Sequence, residues 1–214
     1  MLKKNIQNIY CPVFFNIGGK LCLVVGGGLV AEQKVKMLMK FDTKIRVISP
    51  VISKNLSSLS KKGKIEIIQR EYKKGDVDGA SLVFAATNKN DINQAIKKDA
   101  SLSGIPVNVV DDPNLCDFIV PSIIKKESII IAISTSGTLP SLSKKLRRDI
   151  GGLLSSDYAK YARKIGKFRK MLLERVQDKD IRRKILSDIS KMDVATIAGM
   201  NINKIKKRFM PDIR

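Results

Sequence analysis

The chain has 214 residues, of which 43% are hydrophobic, so it can form one substantial domain and a smaller one. Its purely apolar runs are about five or six residues long, which excludes a membrane-spanning helix, since such a helix needs ~20. The absence of histidine excludes a Ser-His-Asp triad, a Cys-His pair and a histidine-based metal site. The formal net charge of +21 predicts an anionic partner, either nucleic acid, an acidic membrane surface or a polyanionic small molecule; the alternative is a solvated, lysine-rich surface.

The first predicted elements are a hairpin and a central strand. Residues 10–19 are apolar and end in a glycine turn, so we expect an edge strand and a hairpin there. Residues Leu21–Val25 form an apolar, partly β-branched run, which is typical of a strand that is buried on both faces of a sheet.

A glycine turn follows that strand and matches the dinucleotide-binding pattern as Gly26-x-Gly28-x-x-Ala31. Gly26 allows a tight turn, Gly28 lets the backbone approach a pyrophosphate, and Ala31 keeps the next helix close to the strand. The free amides and the positive dipole at the start of that helix would face the phosphates. The alternative is a glycine turn that binds nothing, but the flanking strand and helix favour a nucleotide.

Strands and helices then alternate as far as residue 112, which predicts an α/β fold with a Rossmann-type, doubly wound parallel sheet. The predicted strands are Lys44–Ser49, Lys64–Arg70, Leu82–Ala86 and Val107–Val110. Between them lie Ser53–Lys62, a helix or an irregular connection, and a helix that Asn90 or Asp91 caps and that runs through Ser101.

The carboxyl ends of these parallel strands should form one crevice for a ligand. The loops that meet there are Gly26–Ala31, Ser49–Val51, Ala86–Asn88 and the turn at Asp111. A dinucleotide fold usually has an acidic residue after its second strand that holds the adenosine ribose. Here Ser49, Pro50 and Val51 take that place, so a hydroxyl and backbone groups must make the contact, and the choice between NAD and NADP stays open.

The pattern changes after residue 112. Phe118–Ile124 and Ser128–Ser134 predict an antiparallel pair, and a hydroxyl-rich run leads to a helix that Ser141 caps and that Gly151-Gly152 ends after Ile150. Further helices are predicted at Ser156–Val176, Lys179–Lys191, Asp193–Gly199 and Ile202–Phe209. We therefore divide the chain into a nucleotide-binding domain (1–112), a linking segment (113–148) and a basic helical domain (149–214).

Charge and cysteines add two expectations. Residues 141–214 carry 21 Lys/Arg against 8 Asp/Glu, which places most of the positive surplus near the C-terminus. Cys11, Cys22 and Cys116 lack metal-ligand spacing, and Cys22 lies in the first strand as a small buried hydrophobe. The first ten residues contain no continuous apolar segment, so we expect no secretory signal and a reducing, cytoplasmic location.

Several blocks in a fixed order resemble the siroheme synthase family, specifically its precorrin-2 dehydrogenase/sirohydrochlorin ferrochelatase module. They are VVGGGLVAEQK (24–34), AATN (85–88) with Asn93, NVVD (108–111), FIVPSII (118–124) and STSGTLPS (134–141). The resemblance implies NAD-dependent oxidation of precorrin-2 to sirohydrochlorin and, in bifunctional relatives, insertion of Fe(II) at the same site. It also implies a homodimer that forms largely through the segment after the fifth strand.

The resemblance implies a role as acid/base for Asp111, the best proton acceptor in a chain without histidine, although a turn residue is the alternative. Asp112 is expected to be a turn or cap before Pro113. The predicted cofactor contacts are Gly26, Gly28, Leu29, Val30, Ala31, Ser49, Pro50, Val51 and Thr87. The predicted substrate contacts are Asn108, Ser134, Thr135, Ser136 and Gly137, and no metal ligand is predicted.

A tetrapyrrole with many carboxylates suits a basic domain, and Lys144, Arg147 and Arg148 could hold those carboxylates, although a solvated face explains them equally well. One rival interpretation is a nucleic-acid-binding protein, but only 5% of the residues are aromatic, so stacking platforms are scarce. Another is a non-catalytic, NAD-sensing regulatory protein. We expect a small-molecule substrate, with neither nucleic acid nor a membrane as a partner, and the sequence leaves dehydrogenase alone or dehydrogenase plus chelatase open.

Overall fold

The computed structural model describes residues 9–210, and the chain divides into two compact units, one that ends at Val120 and one that begins at Pro121. The three-part division made from the sequence stays a prediction. The expectation of no secretory signal rests on the first ten residues, of which the first eight lie outside the described residues. No helix within residues 9–210 is long and apolar enough to cross a membrane.

The first unit is a parallel sheet with helices, which confirms the predicted α/β, Rossmann-type architecture. Its strands are β1 (Leu21–Val25), β2 (Lys44–Ile48), β3 (Glu66–Ile68), β4 (Leu82–Ala85) and β5 (Val107–Val109). Its helices are α1 (Leu29–Leu38), α2 (Lys54–Lys61) and α3 (Asn90–Leu102), with short 3-10 turns at Met39–Phe41 and Pro113–Leu115. The five strands are parallel in the order β3-β2-β1-β4-β5.

Alternation along the strands places a hydrophobic core on each face of the sheet. On one face Val24 of β1 packs with Val35 and Leu38 of α1. On the other face Leu23 packs with Ile96 and Ala100 of α3. All six side chains are fully buried, so the central strand is covered on both sides, as its apolar sequence predicts.

The second unit contains an antiparallel pair and a group of helices. The pair is β6 (Ser122–Lys126) and β7 (Ile129–Ile133). The helices are α4 (Pro140–Leu153), α5 (Ser156–Arg175), α6 (Lys179–Ser190), α7 (Val194–Gly199) and α8 (Ile202–Phe209). Side chains from the last four helices form its core: Phe168, Leu172, Ile189, Ile197 and Ile205.

The predicted edge strand within residues 10–19 is wrong. No strand is assigned between residues 9 and 20, although the predicted turn exists, with the Lys20 amide donating to the Ile17 carbonyl (3.0 Å). Pro12 has no amide hydrogen to contribute to a ladder, and Val13 and Phe14 are exposed rather than packed against a neighbouring strand. Residues 10–19 thus have the apolar composition of a strand but no neighbouring strand to pair with.

Other element boundaries were also predicted incorrectly. The hairpin begins at Ser122, because Phe118 and Val120 pack against the core of the first unit instead of joining a strand. The N-cap of α3 is Lys89, so Asn90 and Asp91 lie inside the helix rather than capping it.

Helix α4 starts at Pro140 and continues through both glycines to Leu153, so Ser141 does not cap it and Gly151-Gly152 does not end it. The Lys126 ammonium donates to the carbonyls of Gly151 and Leu154, which satisfies acceptors at the end of the helix. A Cβ added at Gly151 would lie 3.9 Å from Ile124 Cδ1, an ordinary contact, so the helical conformation there is unstrained.

Candidate functional site

A cavity of about 670 Å³ lies along the carboxyl ends of the strands in the first unit. The β1–α1 glycine turn, the loops after β2, β3 and β4, and the turn after β5 all contribute to it, as expected for a parallel sheet whose strand order changes direction beside β1. Its lining includes Gly26–Val30, Ser49–Ser53, Glu71, Tyr72, Ala86–Lys89, Ile92, Val110 and Asp111. The predicted convergence of four loops on one crevice is therefore observed.

Two of the three glycines leave no room for a side chain. Gly26 has a φ of +128°, and a Cβ there would lie 2.2 Å from the Ala86 carbonyl oxygen after β4. A Cβ on Gly27 would lie 1.9 Å from the Val51 carbonyl oxygen after β2. The turn is therefore packed against both neighbouring loops, and Gly27, which the dinucleotide pattern leaves unspecified, is as constrained as Gly26.

Gly28 differs from its neighbours because a Cβ there would meet nothing within 4 Å. It is the N-cap of α1 and brings no side chain to the amides of the first helical turn. Leu29 and Val30 of that turn line the cavity and are exposed. The start of α1 thus presents backbone amides and the positive end of the helix dipole to open space, the arrangement that binds a phosphate. Ala31 is buried and does not line the cavity.

The loop after β2 carries no acidic side chain into the cavity. Ser49 is buried, and its hydroxyl donates to the Val51 carbonyl (2.8 Å), so that hydroxyl is committed to the loop. The Ser53 amide donates to the Gly27 carbonyl (3.0 Å), and the Gln69 side-chain amide donates to the Pro50 carbonyl (3.3 Å). The loop is thereby fixed to the glycine turn on one side and to the segment after β3 on the other.

The loop after β4 is held by the side chains of Thr87 and Asn93, which both belong to the sequence blocks that resemble the siroheme synthase family. The Thr87 hydroxyl donates to Asn93 Oδ1 (2.7 Å), and the Asn93 amide returns a bond to the Thr87 carbonyl (3.1 Å). Asn93 is buried in α3, so the pair fixes the loop at the cavity wall. Thr87 lines the cavity with its hydroxyl already bonded.

Asp111 lies at the cavity in a strained backbone conformation. It has a φ of +63°, an uncommon left-handed value for a residue other than glycine, and its side chain is exposed. Strained turns of this kind concentrate at functional sites. Its neighbour Asp112 accepts a bond from the Asn114 amide (3.1 Å) and caps the 3-10 turn, as the sequence predicted.

Lys34 is a residue that sequence reasoning missed. Its ammonium donates to Asn108 Oδ1 (3.1 Å) and lies 5.6 Å from the centre of the Phe84 ring. Burial lowers the pKa of Lys34, and electrostatic interactions with Cys116 and Asp111 oppose that shift. Asn108 lies three residues before Asp111, is only 7% exposed and does not line the cavity. Its polar atoms therefore make hydrogen bonds inside the first unit.

Glu32 was also missed, because its hydrogen-bond partners Ser53 and Asn55 are distant in sequence. It is 4% exposed on α1 and accepts a bond from the Asn55 side-chain amide (2.9 Å). Hydrogen bonds from Ser53 and Asn55, with a smaller contribution from the Lys36 charge, lower the pKa of Glu32. The carboxylate thus ties the helix that follows the glycine turn to the start of α2.

The hydroxyl-rich loop belongs to the second unit. Ser136 and Gly137 have positive φ values (52° and 85°), and the Ser136 amide donates to the Ser134 hydroxyl (3.0 Å). Thr135 accepts a bond from the Leu139 amide through its hydroxyl (3.2 Å). These bonds form the turn that leads into α4, and the substrate role predicted for the four residues stays a prediction. Within residues 9–210 no group of three or more Cys, Asp or Glu side chains is placed to hold a metal ion.

Comparison with known proteins identifies the nucleotide-binding region. The family model NAD_binding_7, described as "Putative NAD(P)-binding", matches residues 13–122. The siroheme synthase of Nitrosomonas europaea is 39% identical over 175 residues, which cover 81% of this chain and 37% of that protein. The siroheme synthase of Pseudomonas aeruginosa (strain UCBPP-PA14) is 34% identical over 186 residues, 87% of this chain and 40% of that protein.

The chain thus spans about two fifths of the length of these curated relatives. The solved structure titled "SirC, precorrin-2 dehydrogenase" has the same fold, with a TM-score of 0.75 at 20% identity, over 94% of this chain and all of that one. The resemblance to siroheme synthases that the sequence blocks indicated is confirmed. Because the family model covers half of the chain, the chain belongs to the NAD_binding_7 family of NAD(P)-binding proteins.

Proposed function

We propose that the protein is an NAD-dependent dehydrogenase that oxidises precorrin-2 to sirohydrochlorin on the route to siroheme. The observation that carries the proposal is one cavity that contains both a phosphate-binding type of helix start, at Gly28–Val30, and an exposed carboxylate in a strained turn, Asp111. The names of the relatives, siroheme synthase and precorrin-2 dehydrogenase, supply the substrate class.

The residues fit a dinucleotide. Gly26 and Gly27 keep the turn free of side chains, and the open space at Gly28 lets a pyrophosphate reach the amides of α1. Leu29, Val30, Pro50 and Val51 would contact the rest of the cofactor, and Thr87 would hold the β4 loop beside it. When bound, NAD supplies the hydride acceptor for the oxidation.

Asp111 is the proposed proton acceptor. Dehydrogenation removes a proton as well as a hydride, and Asp111 and Glu71 are the two carboxylates among the described cavity-lining residues. Glu71 is already paired with Lys89 (2.9 Å), which leaves Asp111 for proton transfer. Its position after β5 puts it on the opposite side of β1 from the loop after β2.

The second unit would provide attraction rather than chemistry. Residues 141–214 hold 21 Lys/Arg against 8 Asp/Glu, so a substrate with many carboxylates is drawn to this part of the chain. Lys144, Arg147 and Arg148 are exposed on α4 and are candidates for holding those carboxylates, together with the loop 134–137. A reducing cytoplasm is part of the same proposal, and the three cysteines are free thiols.

We also propose that the protein is a homodimer that forms through the second unit. A two-stranded sheet is marginal alone, and β6 and β7 pair only with each other among the described residues. Leu142, Leu146 and Leu153 lie four and seven positions apart on α4 and are exposed. A second copy would cover this apolar row.

Sedimentation tests the dimer. The wild-type chain should sediment as a dimer, whereas Leu142→Glu combined with Leu146→Glu should give a folded monomer. Leu173→Glu, which changes a leucine on α5 that is more exposed than Leu142 or Leu146, is the control and should remain dimeric. A monomeric wild type, or a dimeric double variant, would refute this interface.

An anaerobic absorbance assay tests the function. Precorrin-2 with NAD should give sirohydrochlorin, and addition of Fe(II) to sirohydrochlorin then asks whether the same chain inserts iron, the second activity that the name siroheme synthase favours. An absence of sirohydrochlorin under conditions where NAD binds would reject the dehydrogenase and leave an NAD-sensing protein.

A further inference from the structure

An ion pair spans the wall of the cavity between the loops after β3 and β4. The Lys89 ammonium lies 2.9 Å from Glu71 Oε1, and both side chains line the cavity. They are 62% and 65% exposed, so both charges can reach a ligand. Among the described residues that line the cavity, Glu71 and Asp111 are the carboxylates and Lys89 is the one ammonium group.

Glu71 lies on the side of the cavity where an adenosine ribose is expected. In dinucleotide folds the carboxylate that binds this ribose follows the second strand, and here that position is occupied by Ser49, Pro50 and Val51. The Ser49 hydroxyl is committed to the Val51 carbonyl. The next strand outward in the sheet is β3, and the segment after it is tied to the β2 loop by the bond from Gln69 to the Pro50 carbonyl. Glu71 follows two residues later.

Asp111 cannot take this role because it follows β5, at the opposite edge of the sheet from β3. The charges of Glu71 and Lys89 should affect the affinities for NAD and NADP in different ways. A carboxylate accepts hydrogen bonds from ribose hydroxyls and repels a 2′-phosphate, whereas a lysine without a carboxylate partner attracts that phosphate. The position of Lys89 as the N-cap of α3 keeps its backbone fixed beside the cavity.

We propose that Glu71 replaces the missing carboxylate of the β2 loop and, by pairing with Lys89, makes the site select NAD over NADP. The inference rests on the proposed cofactor role of the cavity. Removing the Glu71 charge should weaken NAD binding, because a charge-assisted bond to the ribose is lost. It should also strengthen NADP binding, because Lys89 is then released to face the 2′-phosphate.

Calorimetric titration of NAD and of NADP into the substrate-free protein tests the proposal without any turnover. Glu71→Gln should weaken NAD and strengthen NADP by about tenfold each, the effect expected for one charge-assisted hydrogen bond. Glu66→Gln is the matched control, because Glu66 also pairs with a basic side chain, Arg46 (2.9 Å), but does not line the cavity. It should leave both affinities unchanged.

Lys89→Met in the Glu71→Gln background identifies the phosphate partner and should abolish the gain in NADP affinity. Thermal unfolding of each variant checks that the fold is retained, which is expected because the pair is exposed. A Glu71→Gln protein with an unchanged NAD/NADP preference would overturn the inference while leaving the proposed function intact. A wild-type protein that binds neither dinucleotide would overturn both.

Discussion

The two units of the chain use their polar side chains differently. Around the cavity of the first unit, charged groups are held by partners far away in sequence, as Glu32 is by Asn55 and Lys34 is by Asn108. In the second unit, the hydroxyl-rich loop and the N-caps of α5 to α8 bond to residues at most four positions away, as Thr135 does to Leu139, and many basic side chains are exposed. The first unit thus uses polar side chains to join distant segments, whereas the loop and the N-caps of the second unit use them locally.

The largest effect on stability and on NAD binding is expected from substitutions in the glycine turn of the first unit. Gly27→Ala should lower the free energy of unfolding by about 2 kcal/mol or more and abolish NAD binding, because its Cβ would lie 1.9 Å from the Val51 carbonyl oxygen. Gly28→Ala is the matched control and should unfold like wild type, since its Cβ meets nothing within 4 Å. Gly28→Asp should fold as well but should lose NAD through charge repulsion. Thermal unfolding and calorimetry separate these three outcomes, and equal behaviour of the two alanine variants would contradict this description of the turn.

The next largest effect is expected at Asp111. Asp111→Asn should retain NAD affinity while sirohydrochlorin formation falls by about 10²- to 10⁴-fold, the usual contribution of a general base. Asparagine is the appropriate replacement because it tolerates the left-handed backbone at φ +63°. Asp112→Asn removes a carboxylate from the adjacent 3-10 turn and should leave turnover close to wild type. Wild-type turnover by Asp111→Asn would remove this residue from the catalytic role.

A smaller effect is expected at Lys34, where a substitution should change turnover more than the free energy of unfolding. Lys34→Met should change the free energy of unfolding by less than ~1.5 kcal/mol, because the desolvation cost of the half-buried ammonium offsets its lost hydrogen bond. Turnover should nevertheless fall by about tenfold, since Lys34 supports Asn108 and the turn at Asp111. Lys36→Met, two positions along α1 and exposed, is the comparison. If the Lys34 and Lys36 variants have identical turnover, the long-range contact has no catalytic consequence.

The smallest expected effect is a dependence of stability on pH that originates at Glu32. Its folded pKa is lowered from the ordinary value of 4.5, so its contribution to stability is fully present above that value and is lost as the pH falls through the folded pKa. Glu32→Gln should therefore lower the melting temperature at neutral pH, and the difference from wild type should shrink on acidification. Melting temperatures at about pH 7, 5 and 3 measure this trend. A difference that stays constant across that range would show that the carboxylate charge is not the cause.

The sequence was most informative where local pattern decides structure. The buried strand Leu21–Val25, the glycine turn and the alternation that followed it predicted the parallel sheet and its crevice correctly. Residues 10–19 had the same apolar character but no strand partner, and pattern alone could not reveal that. Helix α4 continues past two glycines, and Lys126, more than 20 residues earlier, binds the carbonyls at its end, a contact that local pattern does not predict.

The candidate site shows the same limit. The glycines, the β2 loop and Asp111 were predicted because each follows a strand in a recognisable pattern. The constraint on Gly27 could not be predicted, because it comes from the Val51 carbonyl of another loop. Glu71 and Lys89 are 18 positions apart on two different loops, so only the folded sheet brings their charges together.

The most direct test of the proposed function is anaerobic incubation of the wild-type protein with precorrin-2 and NAD, with sirohydrochlorin and NADH followed in one absorbance record. The proposed reaction predicts that the two products form together in equal amounts and that neither forms when either reactant is omitted. NAD binding with no precorrin-2-dependent NADH would contradict it.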